Sequence, residues 1–378
     1  MQKIISIVTS GHPYYDERIF YKFARSLNKN GYEVSIICST VETEIDLVKD
    51  NIHIIGFNGS NLKKTEKVKK FFDHLKKTEP NIVICCEPLP ILAASKLRKS
   101  KTNVKIIYDV TEWYPENVAF KHYGLRKLVS YFILFIFNIY ASNLADAIII
   151  GELGKKRRYD VIAPAKRKQI ISYYPVLEYF KFSPIEFDGK NLRLCYAGLL
   201  KFDRGIKTIY EAIKKLSTKY PKIRFIYKLI GKFESAVEAQ EFNSLIEKDD
   251  TITVELYAWT EYPNISNLLA DVNVCLDLRT KNFIYNNSLP IKIFEYMACG
   301  KPFIFTNVKP ICSQFDFSTC GFVVNPDSLD AVVNAISKYI DNKELISIHA
   351  NNSRKLIETK YNWEKESEKL LELINSLG

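Results

Sequence analysis

The 378-residue chain contains no Cys-x-x-Cys pair, no Asp-x-Asp, no Gly-x-Gly-x-x-Gly and no Gly-x-x-x-x-Gly-Lys-Ser/Thr segment. Of its eight cysteines, Cys85 and Cys86 are adjacent, and Cys38, Cys195 and Cys275 also sit in apolar runs, where cysteine behaves as a small hydrophobe. Neither a zinc site nor a redox pair is expected. The missing glycine motifs argue against a nicotinamide or flavin cofactor and against a P-loop nucleotidase. Without paired aspartates, no divalent ion is expected at a sugar diphosphate, and fixed cations are the substitute. No apolar run reaches the ~20 residues that span a bilayer. The opening MQKIISIVTSG lacks the long apolar stretch and small-residue cleavage site of a signal peptide. A reduced, cytosolic protein is expected. Composition excludes disorder and collagen, and no internal repeat is evident.

What is present is length enough for two domains of ~150–200 residues. The formal charge of +11 is uneven: residues 1–189 hold 29 Lys/Arg against 20 Asp/Glu, +9, and residues 190–378 hold 25 against 23, +2. The excess lies at 63–77, 96–105, 155–158 and 166–168. No nucleic-acid-binding motif accompanies it, so nucleic acid is not expected as a partner. An anionic membrane surface or lipid pyrophosphate is the functional reading, and solvated helix faces the plain one.

Apolar runs at 4–9, 33–38, 52–57, 82–86, 104–108 and 147–150 alternate with helical stretches at 17–30 and 63–77. Such runs are uniformly apolar, as in a parallel sheet covered on both faces. At 173–190 two prolines and a glycine interrupt the pattern. It then resumes with strands at 192–197, 224–230, 251–256, 272–278 and 302–305, and helices at 206–219, 235–248, 262–270 and 290–298. The expectation is an α/β chain of two doubly wound domains, 1–180 and 181–360, with a helix near 361–378 packing back on the first. Residues 128–141, LVSYFILFIFNIYA, are apolar nearly all round and follow Arg126 and Lys127. A buried core helix is expected there; docking on a membrane surface is the alternative that the basic pair favours.

Three segments carry chemistry. After the first strand, Gly11 allows close backbone approach to a ligand, and His12 is the histidine best placed in a turn. His53, His74 and His349 read as structural or exposed, and His122 follows an acidic stretch. In the second half, Gly198, Lys201 and Arg204 precede a helix, which makes a diphosphate site of backbone amides, helix dipole and cations. Pairing of Arg204 with Asp203 is the plain alternative. A second turn, Gly231-Lys232, follows the next strand. The third segment starts a helix at Pro290 and ends it at Gly300. Lys292 and Glu295 share one face of it. They either form a salt bridge or leave a glutamate to accept from a ribose diol.

The segments GHPYYDERIFYKFARSLNKNGYEV, YAGLLKFDRGI and SLPIKIFEYMACGKPFI match, in order and spacing, motifs of one family. Along almost its whole length the chain resembles the retaining, family-four glycosyltransferases of the GT-B fold, in which two Rossmann-like domains face each other across a cleft. The resemblance implies that Glu295 binds ribose, that Arg204 binds the diphosphate, and that Ser288 and Leu289 present backbone amides to the donor. It places Gly11 and His12 beneath donor and acceptor, and Asp109 and Glu112 in the acidic motif of the acceptor side. His12, Asp16, Asp109 and Glu112 are thus the catalytic candidates. The donor-binding candidates are Gly11, Gly198, Lys201, Arg204, Lys232, Asn287, Ser288, Leu289, Lys292 and Glu295, with no metal ligand. Asn287 stands where the family has its first glutamate, and Thr111 replaces a histidine. Leu199 stands in place of an arginine, with Lys201 as its substitute.

The implied activity is metal- and cofactor-independent transfer of a sugar from a nucleoside-diphosphate sugar to a hydroxyl acceptor, a glycan or lipid-linked surface-polysaccharide precursor. The implied location is the cytoplasm, with peripheral contact at the inner face of the membrane. A nucleotide-sugar 2-epimerase of the same fold, or a catalytically silent glycan- or nucleotide-binding protein, are the alternatives.

Overall fold

The computed structural model describes residues 3–246 and 252–377. It divides into two compact units, Met1–Tyr173 with Trp363–Gly378, and Tyr174–Asn362.

The first unit is built on an eight-stranded sheet of order β3-β4-β2-β1-β5-β6-β7-β8. Its strands are β1 (Ile4–Thr9), β2 (Glu33–Cys38), β3 (Thr40–Lys49), β4 (Ile52–Asn58), β5 (Ile82–Cys85), β6 (Lys105–Val110), β7 (Ala147–Ile150) and β8 (Arg167–Ile170). All neighbours pair in parallel except β3 with β4. The uniformly apolar strands are buried throughout: every residue of β5 and of β7 is. Asp16 accepts from the amides of Arg18 and Ile19 and so caps a π-wound helix, Glu17–Ala24, that runs into α1 (Arg25–Lys29). The other helices of this stretch are α2 (Lys64–Thr78), α3 (Pro88–Ser100), α4 (Glu116–Ala119), α5 (Gly124–Leu144) and α6 (Leu153–Ile162).

Two features of this unit differ from the sequence reading. Strand β3, TVETEIDLVK, alternates polar and apolar residues on an exposed edge, a pattern unlike the buried parallel strands. The apolar segment expected as a buried core helix is instead the 21-residue α5, with only Asn138, Ala141 and Ser142 buried. It lies on α3 and α4 along one side and leaves the opposite apolar face uncovered.

The second unit is a six-stranded parallel sheet of order β11-β10-β9-β12-β13-β14. It comprises β9 (Asn191–Ala197), β10 (Arg224–Ile230), β11 (Ile252–Tyr257), β12 (Val274–Asp277), β13 (Phe303–Thr306) and β14 (Gly321–Val324). Two halves winding outward from a central pair give the strand order of a Rossmann sheet. Helices cover both faces: α7 (Ile206–Lys219), α8 (Ala236–Leu245), α9 (Ile265–Leu269), α10 (Phe283–Asn287), α11 (Ile291–Ala298), α12 (Lys309–Gln314), α13 (Leu329–Asp341) and α14 (Glu344–Thr359). Leu194 and Tyr196 of β9 face a cluster with Ile209 and Ile336, while Cys195 and Ala197 face one with Ile293 and Phe294. Residues 247, 248 and 251 of the expected helix and strand lie outside the described residues.

The chain returns to the first unit as α15 (Trp363–Ser376). Trp363 donates its indole N–H to the Ser26 hydroxyl at 2.8 Å and lies 5.7 Å from the Phe23 ring. Glu366 accepts from the Ser172 amide at 2.8 Å. Removing a buried aromatic leaves a cavity costing about 3–5 kcal/mol. Trp363→Ala is therefore expected to lose about that much stability by urea unfolding, whereas Glu368→Ala, on the exposed side of α15, stays within about 0.5 kcal/mol.

Candidate active site

In a doubly wound sheet, ligands gather beyond the carboxyl ends of the strands where the winding order reverses. In the second unit that point lies between β9 and β12. β9 ends in Gly198, whose φ of 136° belongs to glycine. A Cβ there would lie 1.6 Å from Lys292 Nζ, so the missing side chain is what admits the ammonium. The neighbouring Gly231 is constrained likewise: at φ 149° its Cβ would meet the Gly198 carbonyl oxygen at 1.8 Å. Lys292 arrives from the first turn of α11 and lies 3.4 Å from the Tyr196 hydroxyl.

β12 ends in the fully buried Asp277, which takes the Arg279 guanidinium at 2.7–3.0 Å. Burial opposes its ionisation, yet Arg279, Lys292 and Arg204 hold the carboxyl below its ordinary range. Burial pushes the Lys292 ammonium down to about 7; Asp277 resists this, and the cations Arg279 and Arg204 add to it. The Arg204 guanidinium stacks 4.5 Å from the Tyr285 ring centroid, and Arg279 lies 5.8 Å from the same ring. The Tyr285 hydroxyl is fixed by Asp203 Oδ2 at 3.1 Å. Buried Arg204 Nε has no hydrogen-bond partner among the described residues. No carboxylate lies within ion-pair distance of Arg204 or Lys292 among the described residues.

The remaining donor-side candidates are distributed around this cluster. Lys201 is held by Glu234 at 2.5 Å and Asp203 at 3.6 Å, so its charge is already matched. Lys232 is exposed, and its carbonyl accepts from the Leu200 amide. Asn287 ends α10 and donates to the Phe283 carbonyl at 2.7 Å; Ser288 is the cap of that helix, and Leu289 packs on the core. Glu295 is one turn along α11 from Lys292 and is among the charges acting on it. Arg279 and Tyr285 were not singled out from sequence. The available signal was an arginine two residues past a strand-end aspartate.

In the first unit the corresponding reversal falls between β1 and β5. Glu87, two residues past β5, accepts from Thr9 Oγ1 at 2.9 Å and from the amides of Ser10 and Gly11 at 2.7 and 3.2 Å. It thereby fixes the turn that carries His12. The imidazole lies 3.2 Å from Asp16 Oδ2 and 3.6 Å from Glu87 Oε1. Sequence reasoning missed Glu87, although it stands two residues after a buried parallel strand. Asp109 is fully buried in β6, bound by the Tyr173 hydroxyl and 3.0 Å from Arg18 Nε. Glu112 is exposed and accepts from the Asn117 amide. The Thr111 carbonyl accepts from Lys155 at 2.6 Å.

Burial works against a charged His12, as does Arg18, but the hydrogen bond to Asp16 and the charges of Asp16 and Glu87 prevail and raise its pKa above 6.5. A raised histidine pKa contributes stability that is complete below the unfolded value and is lost as pH rises through the folded value. NMR titration of the imidazole should give a midpoint above 6.5. Asp16→Asn, which preserves the helix cap, should lower that midpoint and shrink the stability difference between weakly acidic and alkaline pH. An unchanged midpoint would remove Asp16 as the cause.

Comparison with known proteins agrees with this fold. The family profile of Glycosyl transferases group 1 matches residues 180–373. No curated protein sequence is significantly similar to the chain. Among solved structures, it is similar to sucrose-phosphate synthase from Thermosynechococcus elongatus, with TM-score 0.77 and 15% identity, covering 100% of this chain and 99% of that one. HepE from Anabaena, solved with UDP-glucose, gives TM-score 0.70 and 13% identity over 100% of both chains. The lipopolysaccharide outer core galactosyltransferase WaaB gives 0.61 and 18% over 99% of both. At such identities the likeness establishes the fold, GT-B with two Rossmann-like domains. The profile covers more than half of the chain, which therefore belongs to the group 1 glycosyl transferases and is a glycosyltransferase.

Proposed function

We propose that the chain transfers a sugar, with retention at the anomeric carbon, from a nucleoside-diphosphate sugar bound at the β9–β12 edge of the second unit. The observation that carries this is the pair Arg204 and Lys292, two basic side chains with no carboxylate within ion-pair distance among the described residues, set around the Arg279–Asp277 ion pair. A diphosphate supplies the matching charge, and such charge-assisted bonds strengthen as the leaving group departs. Glu295 lies one turn further along α11, where it accepts from the ribose diol. Asn287, Ser288 and Leu289 form the sugar-side loop, with Gly198 and Lys232 at the turns beside it. Lys292 takes the place first given to Lys201 as the cation at the Gly198 turn. With fixed cations in this position, transfer needs no metal ion or cofactor.

On the first unit, Gly11, His12 and Asp16 of the turn after β1, and Glu112 of the loop after β6, handle the acceptor hydroxyl. The acceptor is a lipid-linked or surface-polysaccharide precursor, glycosylated in the cytoplasm at the inner membrane face. The eight cysteines, all free and seven of them buried, suit a reducing compartment.

Titration calorimetry with UDP-, GDP- and other nucleotide-sugars, in EDTA, tests the donor reading. One donor is expected to bind and to be slowly hydrolysed with retention, read by NMR of the released sugar; inversion or a strict metal requirement would overturn it. Arg204→Gln should weaken that donor about 10- to 100-fold, the equivalent of a charged hydrogen bond, and the bare nucleoside far less. Lys292 releases its proton near pH 7 in the free protein, so the diphosphate should drive proton uptake at pH 8. Calorimetry in buffers of different ionisation enthalpy reads that uptake, and Lys292→Met should abolish it.

A further inference from the structure

Ten of the twenty-three large apolar side chains exposed among the described residues fall within 118–140. This is a continuous patch rather than the scattered exposure normal for a soluble surface. Its centre is α5, where Leu125 is 76% exposed, Leu128 66%, Phe132 67%, Ile133 61%, Ile136 54% and Tyr140 57%. Their three- and four-residue spacing places them in one stripe along the helix. Tyr123, 90% exposed at one end, and Tyr140 near the other are amphipathic rings of the kind that sit at headgroup level.

The charge around the stripe has one sign. α5 contains no Asp or Glu, and after Lys127 it contains no charged residue at all. Lys121 and Arg126 are exposed beside its N-terminus, and Lys127 lies 4.1 Å from the centroid of the Phe120 ring. The acids that flank the helix are neutralised, Glu116 by Arg158 at 2.5 Å and Asp146 by Arg98 at 3.1 Å. Cations in a first turn also oppose the helix dipole, so they do not serve helix stability. An external anion satisfies both the cations and the dipole.

Length and mean hydropathy, 1.3 over its most apolar window, would allow α5 to cross a bilayer. Its other side forbids this. Asn138 is buried against the hydroxyls of Tyr108 and Tyr159, both at 3.4 Å, and Ala141 and Ser142 are buried in the unit. A helix anchored in this way lies along a surface, with its outer stripe among acyl chains and its cations among phosphates.

We infer that α5 is a membrane-docking element that seats the first unit on a bilayer of anionic phospholipid. The inference deepens the reading of a lipid-linked acceptor, and it is tested independently of donor and acceptor. The whole chain is sedimented with vesicles of phosphatidylglycerol and phosphatidylcholine, or of phosphatidylcholine alone. Binding is expected to the first, to weaken with salt, and to be poor to the second. Phe132→Ser with Ile136→Ser should weaken it at least ~10-fold. Arg126→Gln with Lys127→Gln should remove the preference for phosphatidylglycerol even if the apolar variant fails to fold. Calorimetric binding of UDP or GDP in solution should be unchanged in both variants, which separates failure of docking from failure of the donor reading. Wild-type protein that stays in the supernatant, or binds both vesicles equally, would overturn the inference. So would a dimer in solution that the Phe132→Ser/Ile136→Ser change converts to monomer, because a second copy would then cover the stripe.

Discussion

Asp277 is the constraint on which the second unit's site depends. A carboxylate with no exposure to solvent is tolerable only when charge and hydrogen bonds repay its lost hydration. Arg279 supplies both through a two-oxygen contact, and so it is locked at the end of β12. With Arg279 fixed, Tyr285 gains a cation near its ring and carries Arg204 beside it. Lys292 is then confined between this cationic group and the bare backbone of Gly198, where its charge is costly until an anion arrives. The arrangement is organised before the ligand binds, which lowers the cost of ordering side chains in the complex.

The two units place their polar groups by the same topology but with different charge. Each gathers them past the strands at its winding reversal, β1 and β5 in one and β9 and β12 in the other. In the second unit the edge is cationic, with Arg204, Arg279 and Lys292 around one aspartate. In the first, His12 stands between the carboxylates of Asp16 and Glu87. One edge suits a diphosphate. The other suits a group that gives or takes a proton near neutral pH.

Much of this was legible in the sequence because buried parallel strands and glycine turns are local signals. The uniform apolar runs of β1, β2, β5 and β7 marked their sheet, and the glycines at Gly11, Gly198 and Gly231 marked the turns that follow strands. Glu87 and Arg279 escaped notice because their importance is tertiary. Glu87 matters through the amides of residues seventy-six and seventy-seven positions away, and Arg279 through what it brings to Tyr285. For Asp109 the motif carried the residue type but not its surroundings: its position inside β6 sets it against Arg18. For α5, hydrophobicity fixed the helix but not its surroundings, since a stripe destined for lipid has the composition of one destined for the core.

The most direct test of the central claim is a crystal structure of the chain with its nucleoside diphosphate bound. The account predicts both phosphates within hydrogen-bond distance of Arg204 and Lys292, the Asp277–Arg279 pair intact beside them, and the ribose against Glu295. A diphosphate seated elsewhere, with Arg204 still stacked on Tyr285 and unengaged, would contradict it.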